Sequence, residues 1–329
     1  MISALTFFLT MFAESVSNPI LPSGPDPFIS VHNGMYYITQ TTGRDIRIRK
    51  ASTLAGLALS EPTQVWIDPD PARCCNIWAP EFHRLPAPDG HRWYLYYTAG
   101  PRTCCAQQRM HVLESEADDP LGPYRYKARL YDAAHDYWAI DPTVFPDGNG
   151  RLHVVYSGTP QDRMPHEKPQ NLYIAALENP WTMRGERVLL SEPTLDWERR
   201  GGGVNEGPAV LRRGGTVFLA FSGSGCYTDD YAVGLLEASA SSNLLDPASW
   251  KKHAAPWLSR NDEAGVFAPG HNSFFRPPGS NEDWIVYHAN ARPGLGCGGA
   301  RSPRVQPIRW SPSGQPLVER PTAGRVMLP

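Results

Sequence analysis

The chain lacks apolar runs of membrane-spanning length, long amphipathic helical patterns, and any surplus of charge of one sign. Each absence excludes a class of function. A helix needs about 20 apolar residues to cross a bilayer, and the run from Ile2 to Ala13 falls short of that, with no later segment able to cross. Lys and Arg number 31 against 33 Asp and Glu, a formal charge of −2. No basic field is available to displace counterions from a nucleic-acid backbone, so neither nucleic acid nor a membrane is an expected partner. The one cationic stretch, Arg44-Asp45-Ile46-Arg47-Ile48-Arg49-Lys50, alternates in a way that suits the outward face of a strand. Low-complexity linkers are missing too: the 33 Pro and 29 Gly fall at turns and punctuate hairpins.

What the chain does contain is a motif that returns five times. An acidic or polar residue stands beside Pro or Gly in Pro25-Asp26-Pro27-Phe28, Ala79-Pro80-Glu81-Phe82, Ile140-Asp141-Pro142-Thr143, Asn205-Glu206-Gly207-Pro208 and Gly270-His271-Asn272-Ser273. The anchors at positions 26, 81, 141, 206 and 271 recur every 55 to 65 residues, a little above the period of about 40 to 50 usual for propeller blades. Each copy leads through a turn into an aromatic-rich strand, such as Trp93 to Gly100 or Trp284 to Asn290, and then into a short alternating strand, such as Leu172 to Leu177. A weaker outer strand, for instance Tyr124 to Leu130 or Arg187 to Leu190, completes four antiparallel strands per unit. The expected fold is all-β, a five-bladed β-propeller occupying residues 18–329 as one domain. Residues 1–17 are read as a signal peptide, with a first strand packed on the propeller as the competing reading. The run has the length of a signal h-region but no basic n-region.

Six cysteines at loop positions point to an oxidising compartment. Neither adjacent pair shows C-x-x-C spacing and no His-x3-His accompanies them, so disulfides are preferred to zinc. Cys74 and Cys75 precede the inner strand of blade two and Cys104 and Cys105 follow its second strand, which puts all four on one rim. Cross-pairing within the blade and a Cys226–Cys297 bridge between neighbouring loops are the expected arrangement, with connectivity open.

In a propeller the first strand of each blade lines the central channel, so its starting residues converge at one mouth. Asp26, Glu81, Asp141, Glu206 and His271 are therefore expected to be neighbours. Any one of these acids alone reads best as a turn starter that caps its own backbone. As a set in register they do not, since Asn or Ser would serve a turn equally well. Crowding carboxylates in one water-poor funnel costs several kcal/mol unless protons are shared or cations enter.

The triple Asp26, Asp141 and Glu206, with Trp78-Ala79-Pro80-Glu81 in blade two, resembles the catalytic set of glycoside hydrolase family 43. The likeness covers everything after about Asn18. It implies an inverting hydrolase of arabinose- or xylose-containing polysaccharides, with Asp26 as general base, Glu206 as general acid, and Asp141 setting the acid's pKa. It also implies a sugar-contacting role for Arg301, while Trp78 and Glu81 are weaker candidates for substrate binding. The chemistry requires no cofactor, but similar proteins often hold calcium in the channel near a histidine, which here is His271. The run from Ser222 to Tyr231 looks most like exo-acting α-L-arabinofuranosidases. The expectations that follow are a secreted monomer acting on plant cell-wall polysaccharide. A β-xylosidase, an endo-arabinanase and a non-catalytic carbohydrate-binding propeller are the alternatives. The last has no reason for acids at three particular blade starts.

Overall fold

The computed structural model describes residues 15–162 and 169–329. The apolar run at the N-terminus, read above as a signal peptide, lies outside the described residues. Five sheets of four antiparallel strands follow one another along the chain. Blade one comprises β2 (Phe28–His32), β3 (Met35–Thr39), β4 (Ile46–Ala51) and β5 (Thr63–Trp66). Blade two comprises β6 (Cys75–Ala87), β7 (Gly90–Gly100), β8 (Arg109–Ser115) and β9 (Tyr124–Leu130). Blade three comprises β10 (Ala139–Pro146), β11 (Leu152–Gly158), β12 (Asn171–Asn179) and β13 (Thr182–Ser191). Blade four comprises β14 (Asn205–Arg213), β15 (Thr216–Gly223), β16 (Ala232–Ser239) and β17 (Lys251–Lys252). Blade five comprises β18 (Phe267–Phe275), β19 (Asp283–Asn290), β20 (Ser302–Trp310) and β21 (Pro316–Val318). The five-bladed propeller read from the repeat is thus the observed fold.

Local chemistry explains the hairpins. Asn33 and Gly34, at φ 49° and 73°, join β2 to β3, and Gly214 and Gly215, at φ 56° and 81°, join β14 to β15. Both pairs place two residues in the left-handed region, as a two-residue hairpin turn matched to strand twist requires. Helix among the described residues is limited to short 3-10 turns.

The core lies between blades and not within any one of them. Ile29, Tyr36 and Ile38 of blade one pack with Phe275, Trp284 and Val286 of blade five. Phe82, Trp93 and Leu95 of blade two pack with Tyr37, Ile46 and Ile48 of blade one. A side chain such as Trp93 or Trp284, essentially removed from solvent, contributes about 1.5–3 kcal/mol by burial. Each blade covers the apolar face of the next, so the ring must close. Closure comes from the ends of the described chain, where β1 (Ser15–Ser17) pairs with β22 (Arg325–Met327). The Asn18 side chain then bonds the Val305 backbone twice, giving and accepting at 2.8 Å each.

One expectation is corrected. Cys74 pairs with Cys75 and Cys104 with Cys105, adjacent in sequence, and do not cross-pair within the blade. The Cα atoms of the two pairs are 3.7 and 3.1 Å apart, so each thiol is bridged to its neighbour in the chain. Cys226 and Cys297 pair as expected and fasten the loop after β15 to the loop after β19.

Candidate active site

At the start of the inner strands the backbone leaves regular β geometry. Asp26, Ala79, Asp141, Gly207 and His271 all have φ between 42° and 57°, one in each blade. Register shifts mark the same places in blades two to five, between Trp78 and Glu81, Ile140 and Thr143, Glu206 and Ala209, and Gly270 and Ser273. A bulge with a left-handed residue re-aims a side chain, at about 1–3 kcal/mol for each non-glycine position. Here it turns the strand-leading acids into the channel mouth. Gly207 meets the requirement at no steric cost, and a Cβ there would stand 3.1 Å from the His271 ring.

The carboxyls meet around His271. Its Nδ1 lies 3.3 Å from Asp26 Oδ1 and 4.0 Å from Asp141 Oδ2. Asp26 is the most heavily supported of the acids. Its Oδ1 takes a 2.8 Å bond from Arg301 Nη1, and its Oδ2 takes a 2.6 Å bond from the Thr41 hydroxyl, which itself accepts from the Ala79 N–H. The Asp26 N–H donates to His288 Nδ1 at 3.1 Å. Burial alone would raise the Asp26 pKa, but Arg301, His271 and His288 together hold it well below the usual carboxylate range. His288 is pushed down to about 4 by burial and by Arg301, so it is neutral.

Asp141 and Glu206 go the other way. Burial pushes Glu206 up to about 7, Asp26 adds to the rise, and a bond from Tyr231 and the charge of Arg301 oppose it. Burial, with Glu206 and Asp26 nearby, holds Asp141 well above its ordinary value, although Gly207 donates its N–H to Asp141 Oδ2 at 3.1 Å. Two carboxyls in this situation share a proton and titrate as a pair. The Gly207 bond favours the charged form of Asp141, but burial and the charges of Glu206 and Asp26 outweigh it, so the proton belongs to the pair. The funnel therefore holds a carboxylate at Asp26 beside a carboxyl pair, Asp141 and Glu206, that retains a proton.

The remaining expected residues fall at the same mouth. Arg301 is buried against Asp26. Glu81 is buried and bonded to His83 Nε2 at 2.8 Å, close enough to bear on Asp141 and His271. Trp78 is half-buried at the head of β6. A calcium ion takes six to eight oxygen ligands, whereas His271 offers nitrogen and turns Nδ1 to the carboxyls. Among the described residues no three His, Cys, Asp or Glu gather to hold a metal, so an ion at His271 would draw most of its ligands from water. A cavity of about 1790 Å³ opens at the opposite mouth between Arg84, Phe145, Arg212 and Phe274 and reaches Glu81, but not the Asp26–Glu206 cluster.

Four contributors carried no signal of their own in the sequence: Thr41, Ser222, Tyr231 and His288. Each lies at the end of a second strand or in the loop after it; Thr41, Tyr231 and His288 face an acid on another strand or blade, and Ser222 accepts the His271 N–H. Only Ser222 and Tyr231 fall in a stretch that stood out, the run leading into β16.

The profile of "Glycosyl hydrolases family 43" matches residues 16–316. An "Extracellular exo-alpha-(1->5)-L-arabinofuranosidase" of Streptomyces avermitilis is 37% identical over 94% of this chain, which spans 64% of that protein's length. Another of the same name from Streptomyces chartreusis is 35% identical, with 83% of this chain and 81% of that protein covered. Among solved structures, an alpha-L-arabinofuranosidase from Lactobacillus brevis superposes with a TM-score of 0.85 at 33% identity, covering 93% of this chain and 97% of that one. A funnel of three acids at the heads of blades one, three and four, on a chain matched along most of its length, has one reading: the chain belongs to glycoside hydrolase family 43.

Proposed function

We propose that this protein is an inverting exo-acting α-L-arabinofuranosidase that removes L-arabinofuranose from α-1,5-linked arabinan. What supports the reading is the division of acidity in the funnel, with Asp26 held below the ordinary carboxylate range and Glu206 pushed up to about 7. That is the state an acid–base pair needs before it acts. Asp26 is the base that takes a proton from water as it attacks the anomeric carbon. Glu206 is the acid that delivers its proton to the departing glycosidic oxygen, and Asp141 keeps that proton on Glu206 by like-charge repulsion. Inversion requires room for water between the two carboxyls, which two different blades can provide. Arg301 holds Asp26 and contacts the sugar in the cleavage subsite, with Trp78 and Glu81 as further substrate-binding residues.

No step in this chemistry needs a cofactor, and calcium near His271 would serve as a structural ion only. The relatives named above support arabinan as the polymer and an extracellular setting. Three cystine pairs accord with export. A monomer acting on a plant cell-wall polysaccharide completes the proposal.

The test is to incubate the protein and Glu206→Gln with linear α-1,5-arabinan and with xylo-oligosaccharides. Arabinose alone, lost in the variant, and released first as the inverted anomer by proton NMR, is the expected result. Longer arabino-oligosaccharides would mean endo action, and xylose would mean a xylosidase. No release from either polymer would favour a carbohydrate-binding propeller.

A further inference from the structure

Tyr231 closes the loop between β15 and β16 and is removed from solvent, 1% exposed. Its hydroxyl donates to Glu206 Oε1 at 2.7 Å. The ring lies parallel to His288 of blade five, with centroids 5.8 Å apart and planes 2° from coincident. His288 in turn accepts the Asp26 N–H. One aromatic stack thus spans the two sides of the funnel, from the blade-four acid to the blade-one base. Room for it exists because residue 270 is glycine. A Cβ there would fall 2.1 Å from Tyr231 Cε1, a clash no rotation of the stacked ring relieves.

We propose that Tyr231 is the positioning residue of the general acid, fixing Oε1 of Glu206 so that Oε2 carries the proton toward the leaving oxygen. The inference rests on Glu206 being that acid. Burial holds the phenol pKa well above its ordinary value, so Tyr231 enters the reaction as an O–H donor. A carboxylic acid whose Oε1 accepts from a donor must carry its own proton on Oε2. In the step itself the Oε2–H bond breaks, an O–H bond forms on the glycosidic oxygen, and the bond from that oxygen to the anomeric carbon breaks. Water supplies the incoming oxygen and Asp26 takes the water's proton, so atoms and charge balance. Glu206 ends as a carboxylate still bonded to Tyr231. Hydrogen bonds to a charged acceptor are about twice as strong as neutral ones. The contact therefore tightens as the proton leaves, which stabilises the transition state more than the ground state.

The groups that also set Glu206 titration are Asp26 and Arg301, which bear on it directly, and Asp141, which senses it. His271, His288 and Glu81 lie around those carboxyls. None of them donates a hydrogen bond to Glu206 in the structure, so the effect of the phenol is separable.

The experiment compares the native protein, Tyr231→Phe, and protein carrying 3-fluorotyrosine at 231, on arabinan and on an aryl arabinofuranoside with a good leaving group. In Tyr231→Phe, kcat on arabinan falls about ten-fold or more. It falls much less on the aryl substrate, whose leaving group needs little protonation. The alkaline limb of the pH profile moves up, because a donor that favoured the carboxylate is gone. Fluorotyrosine, a stronger donor of nearly the same shape, moves that limb down without disturbing the fold. Equal losses on both substrates with an unmoved limb, or an unmoved limb with fluorotyrosine, would overturn the proposal. Failure of the underlying reading is distinguishable: Glu206→Gln would then keep full activity on arabinan.

Discussion

Arg301 and Asp26 are 275 residues apart in the chain and joined by a 2.8 Å bond between Nη1 and Oδ1. Both are buried. The pair links the loop before β20 to the head of blade one, and it explains why Asp26 keeps its charge beside an Asp141–Glu206 pair that retains a proton. Removing one partner of a buried ion pair leaves the other uncompensated, at about 3–5 kcal/mol. In Arg301→Met the Asp26 pKa rises, since burial then lacks its chief opponent. The acid limb of kcat/KM moves to higher pH and the plateau falls about 10²-fold or more. Arg301→Lys restores part of the charge but not the fixed planar fork, so it recovers part of the rate. A pH profile of both variants checks this, and an unmoved acid limb in Arg301→Met would be evidence against Asp26 as the base.

In the proposed mechanism Asp141 acts one step further from the bond being broken. It receives the Gly207 N–H, and Gly207 directly follows Glu206 in β14. In Asp141→Asn the side-chain oxygen can still accept from Gly207, so the geometry persists while the like charge beside Glu206 disappears. Glu206 then loses its proton at lower pH, and the alkaline limb moves down. The expected loss at pH 7 is about 10²- to 10⁴-fold, shrinking as the pH is lowered toward 5. A loss of the same size at every pH would show that Asp141 does not tune the acid.

The architecture was legible because it repeats. A turn starter, an aromatic strand and an alternating strand, five times over, leave few folds to choose from, and the acids were found because each occupies the same place in its unit. Thr41, Tyr231 and His288 were hidden. Each sits at or just after the end of a second strand, where the residue type changes from blade to blade, and reaches Asp26 or Glu206 across strands or blades, so no local spacing marks it. The cysteines show the limit of topology: the rim was read correctly for Cys74, Cys75, Cys104 and Cys105, but rim position does not say whether a thiol meets its neighbour in sequence or in space.

Buried acids with raised pKa values make stability depend on pH in a stated direction. Folded Glu206 titrates at about 7 against an ordinary 4.5, so the folded state binds the proton more tightly than the unfolded chain does. Its contribution is fully present below pH 4.5 and is lost as the pH rises through 7. Asp141 acts with the same sign. Asp26, with a lowered pKa, contributes above its ordinary value and loses that only in strong acid. Unfolding temperature is therefore expected to fall between pH 5 and 8. Glu206→Gln keeps the shape, removes the titration, and should be more stable than the native protein at pH 8 by about 1–3 kcal/mol, with the difference vanishing near pH 4.5. Calorimetry across that range checks it, and parallel curves for the two proteins would contradict the assignment of the proton to Glu206.

The Cys226–Cys297 bridge joins the loop that carries Tyr231 to the loop that carries Arg301. The first of these residues bonds Glu206 and the second bonds Asp26. A further tie runs beside the bridge, where the Gly294 N–H donates to Asp229 at 2.9 Å. The bridge closes 71 residues of chain, which the chain-entropy account values at about 4 kcal/mol. Replacing both cysteines by serine should lower stability by roughly 2–4 kcal/mol and also lower kcat, because both positioning side chains gain freedom. The same change should leave the inter-blade core untouched, so the far-ultraviolet spectrum stays native. The discriminating measurement is activity at a temperature well below the variant's unfolding transition. Reduced kcat there shows that the bridge sets the spacing of acid and base. Native kcat with reduced stability shows that it serves the fold alone, and that the blades position Glu206 and Asp26 without help from the loops.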